Sequence, residues 1–339
     1  MIWIWTGFIG FILLLLAIDL GVLHRESRAV TMKEALAWSV IWTVVGLAFA
    51  LFVYFGYEQR WLGLGTAVDA IDGAANDGRE AVLKYLTGYV IERSLSVDNV
   101  FVIAMIFSFF AVPAEYQHRV LFLGILGALV MRGAMIAMGV RLIAEFDWIL
   151  YAFGALLILT ALRMLFLKEG ETDLEKLVAI RLARRFLPIT SRYHGEHFIV
   201  RDADAAPAET GKAAGWMLTP LALALLLVET TDLVFAVDSI PAIFAITADP
   251  FLVFTSNVFA ILGMRALYFA LAGMMGKFRY LKASLAVVLL LVGGKMLAAH
   301  WLKAAFGKNV GLYLMIVIFL VLGAGIAASL ARARRDPGK

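Results

Sequence analysis

Two stretches of the sequence place acidic residues at the same spacing within otherwise apolar segments. Residues 92–99 read Glu-Arg-Ser-Leu-Ser-Val-Asp-Asn, and residues 232–239 read Asp-Leu-Val-Phe-Ala-Val-Asp-Ser. In each, an acidic residue stands six places before the Asp of a Val-Asp pair, and Asn99 or Ser239 follows that Asp. Carboxylate, amide and hydroxyl oxygens are hard ligands that suit Mg²⁺, Ca²⁺ or Mn²⁺. The paired motifs therefore predict a divalent-cation site.

Helical geometry places most of these polar residues on one face of each helix. The spacing i, i+4 and i+7, which defines one face, covers Glu92, Ser96 and Asn99 in the first motif and Asp232, Ala236 and Ser239 in the second. Glu229 stands one turn before the second set. Asp98 and Asp238 fall about 120° from this face in a straight helix, so they join it only where the helix is distorted. Pro241 could distort the second helix, because a proline ring leaves the carbonyl one turn earlier without its donor.

Seven charged residues inside the apolar segments need partners or a function. Each costs about 2.5–3.5 kcal/mol on membrane-insertion scales, so the set costs on the order of 20 kcal/mol, against a usual stability of about 5–15 kcal/mol. Arg132 and Arg265, the expected charge partners, could simply tie helices together by pairing with carboxylates. Five carboxylates would still leave an acidic surplus that needs protons or a cation. The seven residues are Glu92, Asp98, Arg132, Glu229, Asp232, Asp238 and Arg265.

Three weaker features each allow two interpretations. Asp19 lies near the end of the first apolar segment and could be a ligand in the cation path or a helix-end residue. Ser256 and Asn257 could face the site or bond neighbouring helices. The acidic loop over residues 58–84 could steer cations, although a solvated loop is the expectation. The chain has no cysteine and the motifs have no histidine, which argues against zinc and copper as the ion.

The composition predicts an integral membrane protein of the all-α class, a polytopic transmembrane helix bundle. Of the 339 residues, 63% are hydrophobic, and they fall in blocks of about 20 residues, the length of a membrane-spanning helix. The sixth block is too long for one straight span, so we expect a broken helix at Pro241. The pI of about 9.2 comes from basic residues beside apolar blocks and does not indicate nucleic-acid binding. The nine predicted spans are residues 2–23, 36–57, 85–111, 119–141, 148–167, 217–247, 251–273, 281–302 and 310–331.

Basic residues near the span ends predict the orientation and the divisions of the chain. Lys and Arg concentrate in the loops that lie inside when the N-terminus is outside, so we expect a cytoplasmic C-terminus. The predicted parts are two N-terminal helices (1–57), an acidic outer loop (58–84), a first three-helix repeat (85–167), a cytoplasmic linker (168–216), a second three-helix repeat (217–302), and a last helix with a basic tail (303–339).

The third to fifth spans resemble the sixth to eighth spans. Besides the acidic motifs, Met131-Arg132 matches Met264-Arg265, and the stretch 163–165 matches the stretch 295–297. Only the first connecting loop needs a marked change of length to keep these matches aligned. Because each unit has three spans, the second unit enters the membrane in the opposite direction. Inverted-topology repeats of this kind are typical of transporters that bind their substrate near the midplane between the two units.

At these motifs the sequence resembles the TerC family of bacterial membrane proteins, and most closely its Alx-type members. The similarity covers nearly the whole chain and is longest at residues 86–101, 229–244 and 255–265. The resemblance implies manganese(II) export across the bacterial inner membrane and a historical association with tellurite resistance. It assigns as core ligands Asp98, Asn99, Asp238 and Ser239, and beside them Glu92, Glu229 and Asp232.

The leading hypothesis is an inner-membrane exporter that carries Mn²⁺ by alternating access, with proton exchange as a plausible driving force. Mn²⁺ is then a transported substrate, no organic cofactor is expected, and the chain is not an enzyme, since the motifs lack a nucleophile with a histidine base. Tellurite is an oxyanion and fits poorly among surplus carboxylates. The alternative is a membrane scaffold or metal-delivery partner for exported proteins or a stress-resistance complex, which would use the linker for contacts.

Overall fold

A computed structural model describes residues 2–21, 31–146, 148–166, 188–190, 192–201, 216–271, 280–299, 301–302 and 310–335. Within these residues the chain is almost entirely helical. The helices are α1 (Ile2–Gly21), α2 (Met32–Glu58), α3 (Gly78–Phe109), α4 (Ala114–Glu145), α5 (Ile149–Phe166), α6 (Pro220–Phe244), α7 (Pro250–Leu262), α8 (Met264–Leu271), α9 (Leu281–Leu297) and α10 (Val310–Arg335). Two antiparallel pairs of two-residue strands complete the fold, β1 (Val68–Asp69) with β2 (Ala74–Ala75) and β3 (Ile199–Val200) with β4 (Met217–Leu218).

The helices confirm a polytopic membrane bundle. In the described part of the chain, seven helical segments are long and apolar enough to cross a membrane, with α7 and α8 counted together. Two of the nine predicted spans fall outside this set: α3, which has 32 residues but carries several charged ones, and α9, which has 17 residues. The element order gives three segments to each proposed repeat, α3–α5 and α6–α9. Their inverted two-fold relation stays a prediction.

The α7–α8 segment forms the centre of the bundle. The 18-residue spanning window of this segment is 89% buried, whereas the windows of α1, α2, α5 and α10 are only 17–28% buried, which leaves apolar faces for lipid. Aromatic rings join α1 and α2 to this central segment. Trp5 lies edge-on to Phe251 at 5.6 Å between ring centroids, and Phe49 contacts Phe259 at 4.6 Å. The side chains that α3, α4 and α6 place against α7 are therefore shielded from lipid.

The helix break lies in the seventh span and not in the sixth, so the expectation for Pro241 is wrong. Helix α6 runs unbroken through Pro241, which occupies its last turn. The excess length of the sixth segment is explained by β4 before the helix and a turn after it. The central segment instead breaks at Gly263. A side chain there would meet the Arg93 guanidinium, 2.8 Å from Cζ, and Arg93 Nη1 donates to the Ala260 carbonyl at 3.1 Å.

The predicted outer loop is a folded structure, contrary to the solvated loop expected from its composition. Its β1–β2 hairpin holds Asp69, which is only 3% exposed. The Asp69 carboxylate accepts from Lys84 Nζ at 2.8 Å and from the Ala248 backbone at 2.9 Å. Burial alone would raise the pKa of Asp69, but the Lys84 ammonium and the hydrogen bonds of Thr247 and Ala248 lower it below 3.8. These bonds fasten the hairpin to the turn between α6 and α7. We call this side, where α3 begins and α6 ends, the first end of the bundle, and the opposite side the second end.

Most of the predicted cytoplasmic linker lies outside the described residues. Its described part packs at the second end of the bundle, where Tyr193 donates to the Phe110 carbonyl at 2.7 Å. Arg119 of α4 forms an ion pair with Glu196 at 2.7 Å, and Thr219 donates to the His197 carbonyl at 2.8 Å. These contacts fix the start of α6 beside the end of α3. The segments 272–279 and 303–309, which bound the predicted eighth and ninth spans, also lie outside the described residues.

Candidate cation site at the centre of the bundle

A fully buried arginine joins the two acidic motifs. Arg132 of α4 is 1% exposed. Its Nε and Nη2 donate to the two carboxylate oxygens of Asp232 at 3.0 and 2.8 Å, a bidentate pair. Its Nη1 forms an ion pair with Glu92 and also donates to Ser239 Oγ at 3.3 Å and Asn257 Oδ1 at 3.5 Å. We call these five residues the Arg132 cluster.

Four helices position this cluster near the middle of the membrane. Glu92 lies close to the middle of α3, and Asp232 lies close to the middle of α6. At about 1.5 Å of rise per residue, both carboxylates stand roughly 20 Å from the helix ends at the two faces of the bundle. Arg132 comes from α4 and Asn257 from the central α7. These four helices therefore surround the cluster with protein.

Several acceptor oxygens in and beside the cluster have no hydrogen-bond partner. Among the described residues these buried atoms include Glu92 Oε2, Asn99 Oδ1 and Glu229 Oε2. A buried acceptor without a donor is costly, and a carboxylate more so than an amide. Three carboxylates, those of Glu92, Glu229 and Asp232, share the region with the single guanidinium of Arg132. When all are ionised, two negative charges remain without a counter-charge.

A small cavity lies against the cluster between α3, α4, α6 and α8. The volume open to the centre of a water molecule is about 10 Å³, so the cavity can hold about one water molecule. Asn99, Thr231 and Asp232 form its polar wall, and Phe235 and Met264 belong to its apolar wall. Asn99 and Asp232 thus face the same space, so the structure brings the Asn99 amide together with the Arg132 cluster.

Glu229 sits beside the cluster and packs against a glycine. Its carboxylate lies directly over Gly127 of α4, where any side chain would collide with it. Glu229 is half-buried and stands three residues before Asp232 on α6, close enough for the two carboxylates to act on each other electrostatically. Gly127 therefore gives this carboxylate a place against α4, one turn nearer the second end of the bundle than the Arg132 cluster.

Asp98 and Asp238, the predicted core ligands, are not among the partners of Arg132. Both are half-buried. Asp238 accepts a hydrogen bond from Thr160 Oγ1 of α5 at 2.9 Å, with Arg163 acting on it electrostatically. The reason is that α3 and α6 both remain continuous helices, so nothing turns these two aspartates onto the face of the cluster. Their role as ligands stays a prediction.

The pair that meets across the two proposed repeats is Glu92 with Asp232, and both bind the same arginine. The repeat-related arginine, Arg265, pairs instead with Asp19 of α1 and contacts His118 Nε2 of α4 at 3.0 Å. This second group lies at the second end of the bundle. Asp19 is thus a partner of Arg265 there, not part of the Arg132 cluster.

The described residues contain no ready-made metal site. No group of three or more Asp, Glu or His side chains converges there in a way that could hold an ion. The reason is visible at the centre, where the guanidinium of Arg132 stands between Glu92 and Asp232. Thr160, which bonds Asp238, and Gly127, which packs against Glu229, were not singled out from the sequence. The pairing of Glu229 with a glycine gives no sequence signal, because glycines are frequent in membrane helices.

Continuous apolar helices and a buried charged centre define the chain as a polytopic integral membrane protein. Residues 77–337 match the family model described as integral membrane protein TerC family. The chain belongs to the TerC family, as its motifs suggested, and its similarity to Alx proteins is equally extensive.

Relatives of known sequence resemble the chain along almost its whole length. An uncharacterized membrane protein of Myxococcus xanthus is 45% identical, covering 98% of this chain and 94% of its own. A putative membrane-bound redox modulator, Alx, of Escherichia coli K12 is 44% identical, covering 93% and 92%. An uncharacterized membrane protein of Rickettsia bellii is 36% identical, covering 97% of both chains. No solved structure matches the chain.

Proposed function

We propose that this protein is a divalent-cation transporter of the bacterial inner membrane and that it exports Mn²⁺. The observation that carries the proposal is the Arg132 cluster together with Glu229 beside it, where three carboxylates and one guanidinium lie at mid-membrane depth. The two unbalanced negative charges match one divalent ion. Glu92, Asn99, Ser239 and Asn257 supply carboxylate, amide and hydroxyl oxygens, the ligand types that hard divalent cations take.

The choice of manganese rests on the resemblance to the family, because oxygen ligands also accept Mg²⁺ and Ca²⁺. The name redox modulator, given to the Alx relatives, does not supply a mechanism for this chain. The chain has no cysteine, so it has no thiol or disulfide of its own to exchange electrons. A manganese exporter would alter the redox state of a cell indirectly, and tellurite resistance would be indirect as well.

The two ends of the bundle support an alternating-access mechanism. At the first end the Asp69–Lys84 pair fastens the hairpin over the turn between α6 and α7. At the second end the Asp19–Arg265 pair joins α1 to α8. The central site lies between these two groups of ion pairs, so opening either one would expose it to one side of the membrane. In the proposed orientation the N-terminus and the first end face the outside.

Export of a divalent cation needs an energy source. Moving one charge against the inward-negative potential costs about 2.3 kcal/mol per 100 mV, or about 4.6 kcal/mol for two charges. Exchange for protons supplies this energy, and it requires carboxylates that alternate between binding a cation and binding a proton. Glu92 and Glu229 are the carboxylates that we propose for this task, since each has a buried oxygen with no hydrogen-bond partner.

The test is ⁵⁴Mn²⁺ flux in proteoliposomes that contain the purified protein. We expect Glu92→Gln and Asp232→Asn to lower the initial rate at least about tenfold. Glu145→Gln is the matched control, because it removes the same charge from an exposed position at the end of α4. Wild-type rates in both site variants would contradict the proposal. The scaffold alternative predicts that result, together with a loss of partner binding when part of residues 200–214 is deleted.

A further inference from the structure

Arg132 holds the position that a bound cation would need. Its Nη1 alone contacts oxygens of Glu92, Ser239 and Asn257, which come from three different helices. An arginine is charged at every relevant pH and cannot yield its place by losing a proton. A divalent ion and the guanidinium cannot share these oxygens. For a cation to bind there, the side chain of Arg132 has to move.

The structure contains a second carboxylate that could receive the guanidinium. Glu229 lies on α6 one turn from Asp232, and its Oε2 is buried without a hydrogen-bond partner. Its carboxylate rests on Gly127 of α4, five residues before Arg132 on the same helix. Side chains on a helix lean toward its N-terminus, and Gly127 lies on that side of Arg132. The absence of a side chain at Gly127 leaves the room that the Glu229 carboxylate occupies.

We infer that Arg132 is a two-position switch that works as a tethered counter-ion. In the cation-free state it neutralises Glu92 and Asp232, and in the loaded state it moves to Glu229 while the cation takes the oxygens of Glu92, Asn99, Ser239 and Asn257. The inference rests on the proposed cation transport and makes Glu229 a positioning residue that acts through Arg132. Any proton on Glu229 would leave as the guanidinium arrives, which is compatible with proton exchange.

Arg132 and Glu229 have opposite effects on cation affinity, because Arg132 competes with the cation and Glu229 accepts the displaced guanidinium. Removing Arg132 abolishes the competitor and leaves the carboxylates free, so the cation binds more tightly. Neutralising Glu229 removes the acceptor of the displaced guanidinium, so the cation binds more weakly. The second effect exists only while Arg132 is present. A direct ligand would behave differently, because its removal weakens binding whether or not the arginine is there.

The experiment is a double-mutant cycle read by electron paramagnetic resonance of free Mn²⁺ titrated into the purified full-length protein. We expect Glu229→Gln to raise the Kd about tenfold and Arg132→Gln to lower it about tenfold. The double variant should bind as tightly as Arg132→Gln alone, since the coupling between the two sites vanishes with the arginine. Glu145→Gln, on the same helix as Arg132, should leave the Kd unchanged.

Two results would overturn the inference while leaving the proposed function intact. One is an equal loss of affinity from Glu229→Gln in both backgrounds, which would make Glu229 a ligand. The other is weaker binding by Arg132→Gln, which would make the arginine a support for the ligands. If wild-type protein neither binds nor transports Mn²⁺, the proposed function fails as well, and the flux assay identifies that case.

A second variant keeps the cycle informative if Arg132→Gln does not fold. Arg132→Lys retains the charge but cannot form the bidentate pair with Asp232. The lysine should be displaced more easily, so Mn²⁺ should bind more tightly than to wild type. The displaced lysine ammonium still needs the Glu229 carboxylate as its acceptor, so Glu229→Gln should still weaken Mn²⁺ binding in this background. Failure of either effect in a monodisperse, folded Arg132→Lys protein would contradict the switch.

Discussion

The contribution of Asp232 to stability can be worked out from its contacts with Arg132. Asp232→Asn removes the charge from a bidentate pair with bonds of 2.8 and 3.0 Å, at a site where both side chains are buried. Taking one partner from a buried ion pair costs about 3–5 kcal/mol. Asparagine keeps one acceptor oxygen and Glu92 still neutralises the arginine, so we expect a loss at the lower end, about 3 kcal/mol.

Asp238→Asn provides the comparison, since it makes the same chemical change nearly two turns further along α6. Asp238 is half-buried and accepts a hydrogen bond from Thr160 at 2.9 Å. Asparagine can accept this bond with its amide oxygen, and a typical hydrogen bond contributes about 1 kcal/mol. We therefore expect Asp238→Asn to cost about 1 kcal/mol or less.

The assay is reversible unfolding in mixed micelles, with SDS as the denaturant and helical circular dichroism as the signal. The free energy of unfolding of both variants is compared with that of wild type under the same conditions. The structure predicts that the Asp232 variant loses about 2 kcal/mol more than the Asp238 variant, as the buried ion pair and the single hydrogen bond require. Equal losses, or a larger loss for Asp238→Asn, would refute the assignment of Asp232 to the centre of the bundle.

Two further predictions concern the break in the central segment and the first end of the bundle. Gly263→Ala should cost about 1 kcal/mol, because the new methyl group would displace the Arg93 guanidinium and break its hydrogen bond to the Ala260 carbonyl. Gly294→Ala, which meets nothing within 4 Å, should not destabilise the protein, and an equal effect of the two variants would contradict the packing. The pKa of Asp69 is lowered from 3.8, so its stabilising effect is complete above that pH and is lost as the pH falls through the lower, folded-state value. Protection from hydrogen exchange at the turn between α6 and α7, relative to the intrinsic rate at each pH, should therefore fall below about pH 4. Asp69→Asn should remove this step while wild type keeps it; a pH response that persists in the variant would show that another group causes it.

The sequence predicted the helices well because each span must bury about 20 apolar residues in lipid, and that requirement is written directly in the hydropathy. It predicted the break in the wrong span. Pro241 is a strong local signal, because it leaves the carbonyl one turn earlier without its donor, yet α6 remains helical through it. The central segment breaks at Gly263, where Arg93 packs against it, and that contact joins residues far apart in the sequence, which no local pattern records.

The candidate site was predicted in its composition and only partly in its geometry. The repeat brought Glu92 and Asp232 into correspondence, and the surplus of acid over arginine indicated that these charges lie together. The emphasis on Asp98 and Asp238 came from the conspicuous Val-Asp pairs and required distorted helices. Straight helices turn those aspartates away from the face that meets Arg132. Which arginine joins which carboxylates depends on how helices pack, and spacing along one helix cannot fix it.

The outer loop was misjudged for a similar reason. Its acidic residues and glycines are typical of a solvated loop, and the burial of Asp69 follows from partners on two other elements, Lys84 of α3 and Thr247 after α6. One local signal was present in the sequence. Asp249 followed by Pro250 is a typical start of a helix, and Asp249 does accept from the first amides of α7. Asn76 of the loop donates to the same carboxylate at 3.4 Å.

The most direct test of the account is the position of the bound ion, measured by anomalous scattering at the manganese edge from crystals of the protein grown with Mn²⁺. The account predicts one strong peak between Glu92, Asn99 and Asn257, with the Arg132 side chain turned toward Glu229. A peak only beside Asp98 and Asp238, only at the Asp69 end of the bundle, or none while the protein transports Mn²⁺, would contradict it.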